Sequence, residues 1–280
     1  MEVYMKQNEP PRGKSARYPL LASEDHKFGD NPPLAESSFL AASSPRQAAG
    51  SSRTRNKLFV ILGIWFLLSF ILPLLHDGLN RDSITRLLIL SYFLFSLWWF
   101  YKKGQFIEVK NPKRTFIVWC TINAMAVEIF HMISRPLHQS LLITSNTSFL
   151  EALKNTSIDL ILTFPAYVLI FLVIWQFVKR YHYSPFSFFF LMGLGQALGD
   201  GNGFFLINPG ALIFIPYVML NYWAMNFVPY LIVRKDIPST LSQGGKFGKI
   251  ISPIFLLPVT YLIAGGIILT IGAVLGWIPK

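Results

Sequence analysis

From Leu58 onward, long apolar runs alternate with short polar or basic connections, at about 58–75, 84–101, 115–133, 158–178, 186–207, 211–233 and 250–277. A helix needs about 20 mostly apolar residues to cross roughly 30 Å of hydrocarbon, and each run is close to that length or beyond it. The pattern predicts an all-α, polytopic membrane bundle of about seven transmembrane helices. Within it, the fifth run is the most interrupted, with Gly, Gln, Asp and Asn in its second half. The last is long enough to tilt, or to break at Pro258.

Residues 1–57 read differently. They are rich in Ser, Pro, Ala and charge and lack helical periodicity, a composition that cannot bury enough surface to offset the entropy of ordering. A disordered cytoplasmic tail is expected there, with Ser43 and Ser44 as possible phosphorylation sites if the segment is regulatory. The first apolar run begins too far along the chain for a cleavable signal sequence, so it is expected to act as a retained anchor. The organisation is then the tail, two leading spans over 58–101, four spans over 115–235, and a final span over 250–277.

Composition agrees. Hydrophobic residues make up 52% of the 280 residues and charged residues only 14%, against roughly 25% charged in a soluble domain. The formal net charge of +11 would suggest nucleic acid in a soluble protein. Here the basic residues sit in short clusters between apolar runs, so they report topology and no nucleic-acid partner is expected. With the N-terminus cytoplasmic, the tail and alternate connections hold all of the 25 Lys and Arg residues except Arg81, Arg86, Arg135, Lys154 and Lys280. That imbalance predicts a cytoplasmic N-terminus, a non-cytoplasmic C-terminus and an odd number of spans. Cys120 is the sole cysteine and rules out an internal disulfide. Asn146 and Asn155 each open an Asn-x-Ser/Thr triplet in the longest non-cytoplasmic loop, available to a glycan in a eukaryote.

Ionisable groups at membrane depth are costly and point to function. Glu128 lies about 20 Å along the third span at 1.5 Å per residue, with His131 three residues on and sharing its face. Asn123 is nearby. Asp159 opens the fourth span. The fifth carries Gln196 and Asp200, together with Gly195, Gly199 and Gly203 as a small-residue groove for a neighbouring helix. Tyr217, Asn221, Trp223 and Asn226 punctuate the sixth. Glu128 with His131 could simply be a buried packing pair, and a Glu-x-x-His pair alone supplies too few ligands for a metal. No metal or other cofactor is expected. Phosphate-binding, nucleophile-elbow and dinucleotide motifs are absent from the sequence.

These residues carry a resemblance. Glu128 and His131, then Asp159, then Gly195-Gln196-Ala197-Leu198-Gly199-Asp200, then Asn221-Tyr222-Trp223 with Pro229 and Arg234, together resemble the EXPERA domain of sterol isomerases of the emopamil-binding type. The likeness covers about residues 115–235. In those isomerases a His precedes a Glu by four residues, whereas here Glu precedes His by three, and Asn and Trp stand two apart instead of three. The resemblance implies a four-helix cavity for a flat apolar ligand in an endoplasmic reticulum membrane. Glu128 or His131 would be the proton donor and Asp159 a second carboxylate. Gln196 and Asp200 would line the ligand, and Asn221 and Trp223 would form a cation-facing wall. The expected function is binding or handling of a sterol or other membrane lipid, with isomerase catalysis, proton-coupled transport or a purely structural role as alternatives.

Overall fold

The computed structural model describes residues 45–200, 204–237 and 245–278. The chain divides into two units, Met1–Ala48 and Ala49–Lys280. Of the first, only the opening residues of a helix are described. Ser43, Ser44 and most of the expected tail lie outside the described residues.

Every regular element among the described residues is helical: α1 (Pro45–Asp77), α2 (Arg81–Lys102), α3 (Pro112–His131), α4 (Phe149–Arg180), α5 (Pro185–Gly199), α6 (Phe204–Ile207), α7 (Ile215–Val233) and α8 (Lys246–Val274), with short 3-10 turns between some of them. Sequence dictates several of the starts. Asn80, Asn111, Ser148 and Ser184 each accept a hydrogen bond from the backbone N–H three residues on, and Pro112 and Pro185 occupy first-turn positions that need no donor.

Five segments are long and apolar enough to cross a membrane, namely Val60–Asp77, Arg81–Lys102, Phe149–Arg180, Pro209–Asp236 and Phe247–Val274. Leu and Ile side chains stand exposed along α1, α4 and α8, a surface that water does not tolerate at this extent and lipid does. The chain is a multi-pass integral membrane protein.

Several boundaries depart from the expected ones. Helix α1 begins at Pro45, so residues 45–57 are helical and not part of an irregular tail. Once the apolar run fixes a helix, the Gln, Ala, Arg and Lys that precede it extend it at little cost. The 186–207 run is not one continuous helix. Its helix α5 has 15 residues and stops at Gly199, about 22 Å at 1.5 Å per residue, and Phe204 begins a separate short helix. Helix α3 has 20 residues, but Asn123, Glu128 and His131 keep it out of the strongly apolar class. Helix α4 starts at Phe149, shortening the long loop, so Asn155 lies inside a helix and is buried while Asn146 remains exposed. Helix α8 runs unbroken through Pro253 and Pro258.

In the unit Ala49–Lys280, α7 is the axis. All of its residues except Phe227 are buried, and it packs against α2, α3 and α5. Helix α8 packs on α4 and α5. A Cβ on Gly195 would come within 2.6 Å of the Pro253 carbonyl oxygen, and one on Gly199 within 2.7 Å of the Pro258 Cα. The expected small-residue groove therefore seats α8; its Gly203 lies outside the described residues. Helix α1 touches the bundle through few side chains. Trp65 donates to the Ile213 carbonyl at 3.0 Å, Phe66 stacks on Trp223, and the Phe70 ring packs tilted against that of Tyr217.

Candidate functional site

The polar residues in the unit Ala49–Lys280 form two clusters that share α3 and α7, the first adding α2 and the second α4, α5 and α8.

The first surrounds His131. Arg86 on α2, only 3% exposed, donates from its guanidinium to the Asn221 side-chain oxygen on α7 and lies 4.6 Å over the Tyr217 ring. Tyr217 donates to Asp82 at 2.8 Å, and Asp82 pairs with Arg135 at 3.1 Å. His131 hydrogen-bonds Asn221 and lies within electrostatic reach of Arg86, Asp82 and Arg135. Its Nδ1 and the Arg86 Nε have no hydrogen-bond partner among the described residues. Thr85 on α2 ties the same end to α3 by donating to the Phe130 carbonyl and to Ser134.

The second surrounds Glu128. Tyr167 on α4 donates its hydroxyl to the Glu128 carboxyl. Asp159, fully buried on α4, and Asp200, at the end of α5, act electrostatically on the same carboxyl. One Asp159 oxygen accepts from the Leu137 backbone N–H at 2.8 Å, and the other has no hydrogen-bond partner among the described residues. Tyr222 on α7 hydrogen-bonds Asp200. Tyr261 on α8 donates to Gln196 at 3.1 Å, hydrogen-bonds Tyr222, and is in electrostatic reach of Glu128 and Asp200. Three carboxyl groups and three tyrosine hydroxyls from α3, α4, α5, α7 and α8 are thus linked by hydrogen bonds or lie within electrostatic reach of one another. No group of three His, Cys, Asp or Glu side chains suited to a metal ion occurs among the described residues.

Of the residues expected in one site, the fold brings together Glu128, Asp159, Gln196 and Asp200. It sends His131 and Asn221 to the other cluster, so Glu128 and His131 do not act as a pair. Trp223 belongs to neither. Its indole N–H donates to the Phe189 carbonyl at 2.9 Å and its ring stacks on Phe189 at 3.9 Å, because Gly193 leaves room for the indole against α5. The aromatic rings beside the acids are those of Tyr167, Tyr222 and Tyr261. Sequence reading missed Tyr167, Tyr261 and the role of Arg86. A signal for the first existed: Asp159, Thr163 and Tyr167 recur at four-residue spacing, a polar stripe on an apolar helix.

Neither of two cavities in the fold is lined by a residue of either cluster. One, of about 510 Å³, is lined by the start of α4 and the end of α8, including Lys154, Asn155 and Trp277. The other, of about 220 Å³, lies at the opposite end, among Tyr181, His182, Tyr183, Tyr230 and Arg234. Comparison of the chain with protein-family models, with curated proteins and with solved structures finds no match.

Proposed function

We propose that the carboxyl–tyrosine cluster around Glu128 is the working site of a membrane protein that binds or handles a sterol or other apolar lipid. The observation that carries this reading is the convergence of Glu128, Asp159 and Asp200 from three helices, with Tyr167, Tyr222 and Tyr261 beside them. Helix packing alone gains nothing from gathering carboxyl groups, since like charges repel and burial of each is costly. A bound polar group, such as the hydroxyl of a sterol, would meet both donors and acceptors there while the rest of the ligand stayed in an apolar surround.

The EXPERA resemblance supports the same reading, because the residues that carry it include Glu128, Asp159, Gln196 and Asp200. The charge imbalance bears on topology, and favours seven crossings with the N-terminus cytoplasmic and the C-terminus opposite, α3 and α5 completing the set. An endoplasmic reticulum membrane follows from the resemblance. Since the described cavities lie elsewhere, the ligand reaches the cluster by parting helices. Parting α8 from α5 would break the Tyr261–Gln196 hydrogen bond and open the close approach at Gly195 and Gly199.

Lipid extracted with the purified full-length chain tests the proposal. Mass spectrometry is expected to find a sterol or another apolar lipid enriched over the bulk membrane, and to lose it in Glu128→Gln at unchanged unfolding temperature. Equal lipid content in both proteins would sink the reading. Rescue of a sterol-isomerase-deficient yeast, lost in Glu128→Gln, would extend it to catalysis, with Glu128 donating a proton to the double bond, the tyrosine rings facing the carbocation and Asp159 taking a proton from the adjacent carbon to form the new double bond.

One observation favours a second reading. Tyr222 links Asp200 to Tyr261 by hydrogen bonds, and Tyr261 lies in reach of Glu128, so the cluster has the makings of a proton relay in a coupled transporter. Solute uptake into proteoliposomes that follows an imposed pH gradient and vanishes in Glu128→Gln would favour it over lipid handling.

A further inference from the structure

The 220 Å³ cavity at the α4–α5 turn has a construction that neither cluster explains. Its floor is aromatic and fixed. Tyr230 donates to the Tyr183 carbonyl at 2.5 Å and stacks on Phe188 at 3.8 Å, and Tyr183 donates to the Lys249 carbonyl at 3.0 Å. Tyr181 and Tyr183 meet edge to face. All three tyrosines are buried, and their hydroxyl and ring contacts join the α4–α5 turn to α7 and to the start of α8.

The rim is basic. Arg234 and His182 line the cavity and are exposed, as is Ser184. Arg180 lies 5.6 Å over the Tyr181 ring, and the Lys249 ammonium lies 5.0 Å over the Tyr183 ring while donating to the His182 carbonyl. The two cation–π contacts place positive charge against two of the tyrosines that line the cavity. Asp236, in the turn that follows Arg234, is the acid nearest in sequence to the rim residues. The first turn of α5, capped by Ser184, adds the positive end of a helix dipole.

This end of the bundle carries the basic connections, including Lys102, Lys103, Lys110, Lys113, Arg114, Lys179 and Arg180. By the positive-inside pattern, those residues would stand where helices leave the membrane, at the depth of lipid headgroups. A basic pocket between helices at that depth has the chemistry to hold an anionic headgroup. Arg offers planar, paired donors to a phosphate, and the aromatic floor suits the glycerol and upper acyl carbons beneath it.

We infer that this cavity is a binding site for the phosphate headgroup of an anionic phospholipid, held by Arg234 and His182 over the Tyr181–Tyr183–Tyr230 floor. It stands apart from the Glu128 cluster and does not depend on the function proposed for that cluster.

The test uses the full-length chain in nanodiscs of phosphatidylglycerol and phosphatidylcholine in equal parts, with native mass spectrometry of the released protein. The wild type is expected to retain phosphatidylglycerol in preference to phosphatidylcholine. Arg234→Gln, an exposed position that leaves the fold intact, is expected to lower that retention about tenfold, and His182→Gln to lower it less. Lys154→Gln, in the cavity at the other end, is expected to change nothing. Displacement of the lipid by millimolar inorganic phosphate would keep the site and reassign its source to free phosphate. Equal retention by the wild type and both cavity variants would overturn the inference.

Discussion

The two polar clusters that meet at α3 are built to opposite plans. Around His131, positive and negative groups alternate: Arg86, Asp82 and Arg135 are interleaved with Asn221 and Tyr217. Around Glu128 the charged neighbours are acids, and no lysine or arginine among the described residues pairs with Glu128 or Asp159. A network in which a carboxylate, an amide oxygen and a tyrosine ring stand against two guanidinium groups offsets part of its own burial and can be explained by helix docking alone. An assembly of acids cannot. The difference teaches where to look for function: a carboxyl in the second cluster has less to lose structurally and more to lose functionally than a group in the first.

That contrast breaks most readily at Arg86. Arg86→Met should destabilise the bundle by about 3 kcal/mol, since the buried Asn221 oxygen loses its charged donor, seen as a fall in the unfolding temperature in detergent. A smaller effect is expected for Asn221→Ala, about 2 kcal/mol, because Arg86 and His131 are left without their shared partner. If both substitutions proved neutral to stability, the His131 cluster would need another explanation.

On the other side of α3 the expected stability effects shrink while functional effects grow. Tyr167→Phe removes one hydrogen bond to Glu128 and should cost about 1 kcal/mol, with bound lipid reduced. Glu128→Gln keeps shape and most hydrogen bonding, so its stability should stay within about 1 kcal/mol of the wild type while lipid content or transport is lost. Asp159→Asn should be close to neutral in chemical denaturation, since it removes a like charge and retains an acceptor for the Leu137 N–H. Should Glu128→Gln or Asp159→Asn unfold the protein, the contrast between the clusters fails.

Much of this was legible in the sequence for physical reasons. Gly195 and Gly199 announce a close helix approach because four-residue spacing puts them on one face, and α8 occupies it. Glu128, Asp159, Gln196 and Asp200 stand out because charge and amide groups are rare in apolar runs. Continuity was less legible. The 186–207 run is apolar enough overall to hide the end of α5 at Gly199, and only Asp200 and the Gly and Asn residues after it marked the break. The start of α1 at Pro45 was hidden for the converse reason, since polar residues continue a helix without leaving an apolar stripe. Partners across helices were least legible. Nothing local in Tyr261, placed after two prolines on the last helix, points to Gln196 or to Tyr222, and nothing near Trp223 says that it turns toward Phe189.

The burial of α7 bears on the order in which the chain comes together. Helices α2, α3 and α5 emerge from the ribosome before the element on which all three close. Until α7 arrives, Arg86 lacks Asn221, and Asn123 lacks the Met225 carbonyl to which it donates. These groups must linger beside water, headgroups or an insertion chaperone while the later helices are synthesised. A chain truncated before Ile215 is thus expected to remain loosely associated and open to degradation, and completion of the penultimate long helix becomes the committing step of biogenesis.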